Sequence, residues 1–247
     1  AAGVAAGGVG RNIARTLAKL GHEVELIAPI SAGADGAFAR SDCEKLGIRL
    51  SGALEAAENC RYLCVNGPEG ALRLAVNDMA AMAHLTPEAL DGWLEPGWDY
   101  VVDAIDDAPA KVALLAGCVR RGLPVVSSMG SAGKILPGEV RVDDIAVSRQ
   151  CPLARRIRKA LRRQGVDGGI TVVYSEELPL RLLGNAGDFQ GACPESPGEK
   201  RPQGTISYMP ALFGLHCASV VLRHLLRELP FVRRGETPPG AAVRCPE

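Results

Sequence analysis

The chain has 247 residues, which is enough for one large α/β domain or two small ones with a substantial core. Its formal net charge at pH 7 is zero, so overall charge gives no reason to expect nucleic-acid binding. No apolar run approaches the ~20 residues that a membrane-spanning helix needs. The hydrophobic content of 47% with only 4% aromatic residues suits a sheet packed by Val, Leu, Ile and Ala.

The first half alternates helical and extended patterns, beginning with a Gly-rich turn that opens an amphipathic helix ended by Gly21 as a C-cap. The predicted elements are a helix over 11–20, a strand over 22–28, a helix over 37–46, a hairpin near 61–77 and a helix over 86–94.

The second half continues the alternation. Its predicted elements are a strand over 99–103, a helix over 109–121, a strand over 124–128, a helix over 152–164, a strand over 170–174, an irregular stretch over 178–204 and a helix over 211–228. Strands separated by helices predict a three-layer, mostly parallel, doubly wound Rossmann-like sheet. In it, 99–103 and 124–128 are expected to be adjacent parallel strands. A flexible tail is predicted over 230–247.

The Gly-rich start does not fit a dinucleotide motif. Gly8-Val9-Gly10 is followed by Ile13 where that motif needs a further glycine, and no acidic residue ends the next predicted strand. The exposed amides of such a turn could still bind hydroxyls or an anion.

Three carboxylates follow the predicted strand in the stretch G-W-D-Y-V-V-D-A-I-D-D-A-P-A-K, namely Asp103, Asp106 and Asp107. Carboxylates at the end of a parallel strand lie where open α/β sheets bind nucleotides, and they can hold Mg²⁺ beside phosphates. The alternative is a capped turn, with Asp106 or Asp107 as the N-cap of the next helix. The spacing alone leaves both open.

Several ordered strings add a resemblance over about 96–229. They are V-V-D-A-I-D-D, P-V-V-S-S-M-G-S-A-G-K, D-D-I-A-V-S-R-Q-C-P-L-A-R-R-I-R-K-A-L-R-R, V-V-Y-S-E-E and R-P-Q-G-T-I-S-Y-M-P-A-L-F-G-L. Together they resemble the ubiquitin-activating-enzyme-like adenylating family, nearest to the tRNA threonylcarbamoyladenosine dehydratases. The resemblance implies a cytoplasmic protein that uses ATP and Mg²⁺ to adenylate a carboxylate on tRNA and then cyclise it. It makes Asp103 the metal ligand, with Asp106 and Lys111 in the ATP and Mg²⁺ region.

The first 95 residues resemble a different family. A-G-G-V-G-R-N-I-A-R-T-L-A-K-L-G-H-E-V-E-L-I-A-P-I and the later A-V-N-D-M-A-A-M-A-H-L-T-P-E-A-L are similar to ribokinase-like sugar kinases, nearest to the pseudouridine kinases. This resemblance implies sugar contacts by Gly7, Gly8 and Asn12 and gives a phosphotransferase as the alternative function. The late G-A-G-D turn of these kinases has only an echo at Gly184–Phe189, with Asp188 in the place of a base.

Neither pattern is complete. The second predicted strand runs into Ala28-Pro29 where the adenylating family has an acidic residue, and the strand that opens the kinase pattern is absent. The chain also begins without Met inside what resembles a kinase motif, so we expect a fragment or a hybrid. The non-enzymatic alternative is an inactive fragment or hybrid that keeps a dimerisation surface and forms a homodimer.

The helix over 152–164 has a basic face formed by Arg155, Arg158, Lys159 and Arg162. Such side chains could contact tRNA phosphates, and the alternative is an ordinary solvated face.

The eight cysteines include no C-x-x-C pair, so free thiols are expected rather than a zinc site. Cys193 is the one candidate for a thioester nucleophile, with an inert thiol as the favoured alternative.

Overall fold

A computed structural model describes residues 6–50, 54–56, 58–68, 72–94, 97–180 and 205–227. Asp188, Cys193, the predicted tail and most of the irregular stretch lie outside these residues. The strands are β1 (Val24–Glu25), β2 (Pro29–Ser31), β3 (Ile48–Arg49), β4 (Leu54–Ala56), β5 (Arg61–Asn66), β6 (Leu72–Asp78), β7 (Val101–Asp103), β8 (Val125–Ser128), β9 (Val140–Asp144) and β10 (Thr171–Ser175). The helices are α1 (Val9–Lys19), α2 (Ala34–Lys45), α3 (Pro87–Trp93), α4 (Ala108–Arg121), α5 (Pro152–Arg162) and α6 (Tyr208–Leu225).

The central sheet has the strand order β7-β8-β10-β9. β7, β8 and β10 run parallel, and β9 pairs antiparallel with β10 at the edge. The prediction that β7 and β8 are adjacent parallel strands is confirmed. β9 was not predicted from the sequence.

Alternate residues of the sheet face two helical layers. Val125 and Val172 belong to a core shared with α3, α4 and α5. Val126 and Val173 belong to a second core shared with α1 and α6. Because successive side chains of a strand point to opposite faces, the sheet is covered on both sides. The predicted three-layer α/β fold is therefore confirmed.

In the described part of the chain, the strands before β7 form three separate pairs. β1 lies parallel to β3, β2 lies parallel to β4, and β5 and β6 form an antiparallel hairpin. The prediction of one strand over 22–28 is wrong, because the chain changes pairing partner between β1 and β2. Pro29 opens β2, which suits a residue that cannot donate a ladder hydrogen bond.

The two sequence resemblances meet inside one packed unit. Ile13 and Leu17 of α1 share a core with Met209 and Phe213 of α6. The predicted boundary between 1–95 and 96–229 therefore separates two resemblances, while the hydrophobic core spans it. None of the described helices is long and apolar enough to cross a membrane.

Candidate functional site

The turn between β7 and α4 holds the three predicted carboxylates, and each has a different environment. Asp107 is the N-cap of α4, and its Oδ2 accepts a hydrogen bond of 2.9 Å from the amide of Ala110. The capping alternative is therefore correct for Asp107. Pro109 in the first turn of α4 needs no donor there, which also favours a helix start at this point.

Asp103 is fully buried in an ion pair. Its Oδ2 accepts from Lys111 Nζ and from Ser127 Oγ, both at 2.5 Å. Its Oδ1 accepts from the amide of Ile105 at 3.0 Å. Asp103, Lys111 and Ser127 are each 0% exposed. Both oxygens of this carboxylate thus accept hydrogen bonds from within the protein.

Lys111 joins the ends of β7 and β8. Besides Asp103, its ammonium donates to Ser127 Oγ at 3.1 Å and to the carbonyl of Ser128 at 3.0 Å. These three bonds use all the donors of the ammonium. Asp103 and Ser127 face each other in the register of the two strands, which explains why this hydroxyl completes the cluster.

This geometry bears on the predicted metal ligand. The sequence made Asp103 a ligand of Mg²⁺ and Lys111 a phosphate contact, whereas the structure pairs these two side chains with each other. Both roles stay predictions, and each requires that pair to separate. Breaking a buried pair typically costs about 3–5 kcal/mol, so the arrangement shown favours a structural role for both residues.

Asp106 is the open carboxylate of the turn. It is exposed, and within the described part of the chain its side chain makes no hydrogen bond or ion pair. Those residues contain no group of three metal-ligating side chains. A Mg²⁺ ion here would therefore be held by one carboxylate, phosphate oxygens and water, which is a common arrangement for this ion.

The Gly-rich start of α1 lies beside this turn. A Cβ placed on Gly10 would be 3.8 Å from Ala104 Cβ, next to the end of β7. Gly8 is the N-cap with φ of 95°, a conformation that glycine adopts without strain, and no side chain caps the helix. The first amides of α1 can therefore bind an anion.

The predicted sugar ligands occupy the same region. Gly7 and Gly8 are exposed ahead of α1, and Asn12 is exposed in its first turn. The Asn12 side-chain oxygen accepts a 3.1 Å hydrogen bond from Arg11. Their role as sugar ligands stays a prediction.

The basic face of α5 is only partly open. Arg155, Lys159 and Arg162 are exposed. Arg158 is half-buried, and its Nη1 donates to the carbonyls of Ile145 and Ser148 at 2.8 and 2.9 Å. Arg158 therefore holds the turn before α5, a role that the helical face did not reveal.

The described cysteines are free thiols, as predicted. Burial, followed by the negative charge of Asp103, raises the pKa of both Cys118 and Cys217 to about 12. Such thiols are poor nucleophiles near neutral pH because the thiolate is the reactive form.

Comparison with known proteins finds both families. A model of the pfkB family carbohydrate kinases matches residues 2–112. The tRNA threonylcarbamoyladenosine dehydratase of Bacillus subtilis (strain 168) is 29% identical over 152 residues, which are 60% of this chain and 59% of that protein. The uncharacterized sugar kinase YeiI of Escherichia coli (strain K12) is 36% identical over 89 residues, which are 35% of this chain and 25% of that protein. The chain resembles both families.

A solved structure extends the likeness to the whole fold. The E. coli tRNA N6-threonylcarbamoyladenosine dehydratase TcdA in complex with ATP superposes with a TM-score of 0.59 at 21% identity. The match covers 91% of this chain and 84% of that chain. At this identity the match establishes a shared fold. In sequence, the chain spans 59% of the length of the Bacillus relative.

Proposed function

We propose that this chain binds ATP where the start of α1 meets the turn after β7, as part of a tRNA threonylcarbamoyladenosine dehydratase-like enzyme. The observation that supports this most is the approach of Gly10 to Ala104, which brings the first turn of α1 to the turn that also carries Asp106. Phosphate oxygens could accept from those amides, and the helix dipole favours their negative charge.

The residues of the turn after β7 have different roles in this proposal. Asp106 is the candidate ligand for an ATP-bound Mg²⁺ because its carboxylate is open. Asp107 starts α4, while Asp103, Lys111 and Ser127 fix the ends of β7 and β8 on either side. When bound, Mg²⁺ would offset negative charge on the phosphates.

The reaction implied by the dehydratase relatives is carboxylate activation. An oxygen of the substrate carboxylate attacks the α-phosphorus of ATP, and pyrophosphate leaves. A nucleophile within the same modified nucleoside then attacks the activated carbonyl, closes a ring and releases AMP. The chain's part in these steps is to align the nucleotide and to hold the phosphates in place.

We expect this chain alone to bind nucleotide without completing the reaction. In the described structure, the segment after β1 offers Leu26 and Ile27, with no carboxylate to hold a ribose. Glu25 is paired with Arg49 at 3.7 Å. Detection of cyclised product with the purified chain and modified tRNA would contradict this expectation.

Binding of Mg²⁺-ATP tests the site. We expect Asp106→Asn to raise the Kd by about tenfold, which corresponds to roughly 1.4 kcal/mol. Asp99→Asn is the matched control, because Asp99 is an exposed aspartate that precedes β7 at the opposite end of the strand. Isothermal titration of both variants with and without Mg²⁺ measures the effect. Equal affinities for the two variants would argue against a role for Asp106.

A sugar kinase-like function is the second candidate, favoured by the family match over 2–112. The exposed Gly7, Gly8 and Asn12 could bind sugar hydroxyls. Transfer of phosphate from ATP to pseudouridine by the purified protein would support this function over the first, and we expect no transfer.

We further propose that α5 contacts tRNA through Arg155, Lys159 and Arg162. The exposure of these three side chains supports this role. Arg158 is left out of the proposed contact, because its guanidinium donates hydrogen bonds to backbone carbonyls. A homodimer and a cytoplasmic location stay predictions.

A further inference from the structure

Lys134 is a buried cation. Its side chain lies in the loop after β8 and is 2% exposed, and among the residues that the structure describes its Nζ has no hydrogen-bond partner. Burial lowers the pKa of this lysine, while the nearby Cys151 and Glu177 act in the opposite direction with smaller effect. An unpaired buried ammonium is costly, so the arrangement shown is stabilised by any anion that reaches it.

Glu177, a carboxylate near Lys134, already holds the loop. Its Oε2 accepts from the amides of Ile135 and Leu136, both at 2.9 Å. Glu177 therefore fixes the loop beside Lys134, and within the described part of the chain it does not bond to the ammonium.

Two further hydrogen bonds hold the loop in place. The amide of Leu180 donates to the carbonyl of Gly133 at 2.7 Å. The hydroxyl of Tyr208 donates to the carbonyl of Ile135, also at 2.7 Å. The position of Lys134 is thus fixed before any ligand binds, which lowers the entropic cost of binding.

The loop packs on the start of α5. A Cβ placed on Gly130 would lie 3.7 Å from Leu153 Cδ2 in the first turn of that helix. Cys151 is the N-cap, and α5 has 11 residues, so the positive end of a full helix dipole is close to Lys134. Two sources of positive potential therefore lie close together.

The location of the loop indicates what the anion is. It leaves the carboxyl end of β8, next to the end of β7 that carries Asp106, at the edge where open α/β sheets bind ligands. We propose that Lys134, aided by the dipole of α5, binds an anionic oxygen group of the substrate, either a carboxylate or a phosphate. Lys134 is the main ligand, because Pro152 has no amide hydrogen and the amide of Ala154 donates to Cys151 Sγ. The assignment of that group to the substrate rests on the proposed function.

Thermal unfolding tests the anion site without requiring activity. At constant ionic strength, phosphate and acetate are expected to raise the Tm of the unchanged protein and of Lys45→Met. Lys45 is an exposed lysine in the last turn of α2 and serves as the control. Lys134→Met should lose most of that rise, while Lys134→Arg should keep it. An equal rise in Lys134→Met and the unchanged protein, or no rise in either, would overturn the inference.

Titration calorimetry then distinguishes the two sources. If the group is a carboxylate, Lys134→Met weakens binding of the threonylcarbamoyladenosine nucleoside about tenfold but leaves adenosine and ATP unchanged. If it is a phosphate, ATP binding weakens instead. If the unchanged protein does not bind ATP, but phosphate still raises its Tm in a way that depends on Lys134, the result would contradict the proposed function and leave the anion site standing. If Lys134→Met does not fold, the same comparison is made with Lys134→Gln.

Discussion

At the residue scale, the buried ion pair between Asp103 and Lys111 ties the end of β7 to the first turn of α4. Both side chains are 0% exposed, so removal of one leaves the other charged and buried. We expect Lys111→Met to lower the free energy of unfolding by about 3–5 kcal/mol. Urea unfolding followed by circular dichroism measures this change.

The double variant Asp103→Asn/Lys111→Met provides the control. With both charges removed, most of the lost stability should return, because no unpaired buried charge remains. A double variant no more stable than Lys111→Met would contradict the account.

The buried thiols give a pH prediction. The pKa of Cys118 and Cys217 is raised from 9.0 to about 12, so the folded protein keeps protons that the unfolded chain loses. The free energy of unfolding should therefore fall as pH rises from about 9 towards 12. Cys118→Ala/Cys217→Ala should reduce that fall, as measured by urea unfolding at pH 8 and pH 10.

Iodoacetamide labelling at pH 8 provides an independent check. The exposed Cys64 should react in the native protein, whereas Cys118 and Cys217 should react only after unfolding. Native labelling of either buried thiol would argue against their protonated, enclosed state.

The carboxylate cluster could be predicted from sequence, but the three roles within it could not. A strand-end run of aspartates predicts a turn at the binding edge of the sheet. It does not say which carboxylate is buried. That depends on the ion pair that Lys111 of α4 makes with Asp103, and on the strand register that places Asp103 opposite Ser127. The two serines that end β8 were the sequence signal that a hydroxyl could bond to Asp103.

At the element scale, α5 has a structural side and an open side. Arg158→Gln should lower the free energy of unfolding by about 1–3 kcal/mol, because buried carbonyls at Ile145 and Ser148 lose their donor. Thermal unfolding against Arg155→Gln, an exposed control, measures this difference. Equal stability of the two variants would contradict the structural role.

The open side of α5 governs tRNA binding in our proposal. Replacing Arg155, Lys159 and Arg162 together by Gln should reduce the magnitude of the log–log salt slope of tRNA affinity by about 2 to 3, at roughly 0.7–0.9 for each lost contact. Stability should change little, since exposed charges contribute little to it. A filter-binding titration across salt concentrations measures the slope. An unchanged slope would mean that these side chains are solvated and do not contact tRNA.

The helices were more predictable than the short strands. α4 was expected over 109–121 and spans Ala108–Arg121, because its apolar face, Asp cap and C-terminal Gly122 agree. α6 begins before its expected start, as Pro210 lies in the first turn, where its missing amide costs little. β9 was missed because the short sequence Val140–Asp144 has no strong strand signal of its own, and it is a strand through its antiparallel pairing with β10.

At the scale of the whole molecule, a segment resembling one family completes the layers of a fold typical of another. α1 lies within the kinase match over 2–112, yet it packs on α6 and reaches the turn after β7. The sequence could predict each resemblance and an α/β sheet. It could not predict that Gly10 would lie against Ala104 in the turn after β7, since that contact arises only from tertiary packing.

The central claim is that these two features form one nucleotide site. Two-dimensional amide NMR of the ¹⁵N-labelled protein during titration with Mg²⁺-ATP tests it most directly. The account predicts that the amides of Gly8, Gly10 and Asp106 shift together with one saturating dissociation constant, while that of Asp99 stays unchanged. Shifts confined to only one of the two features, or no shift at either, would contradict it.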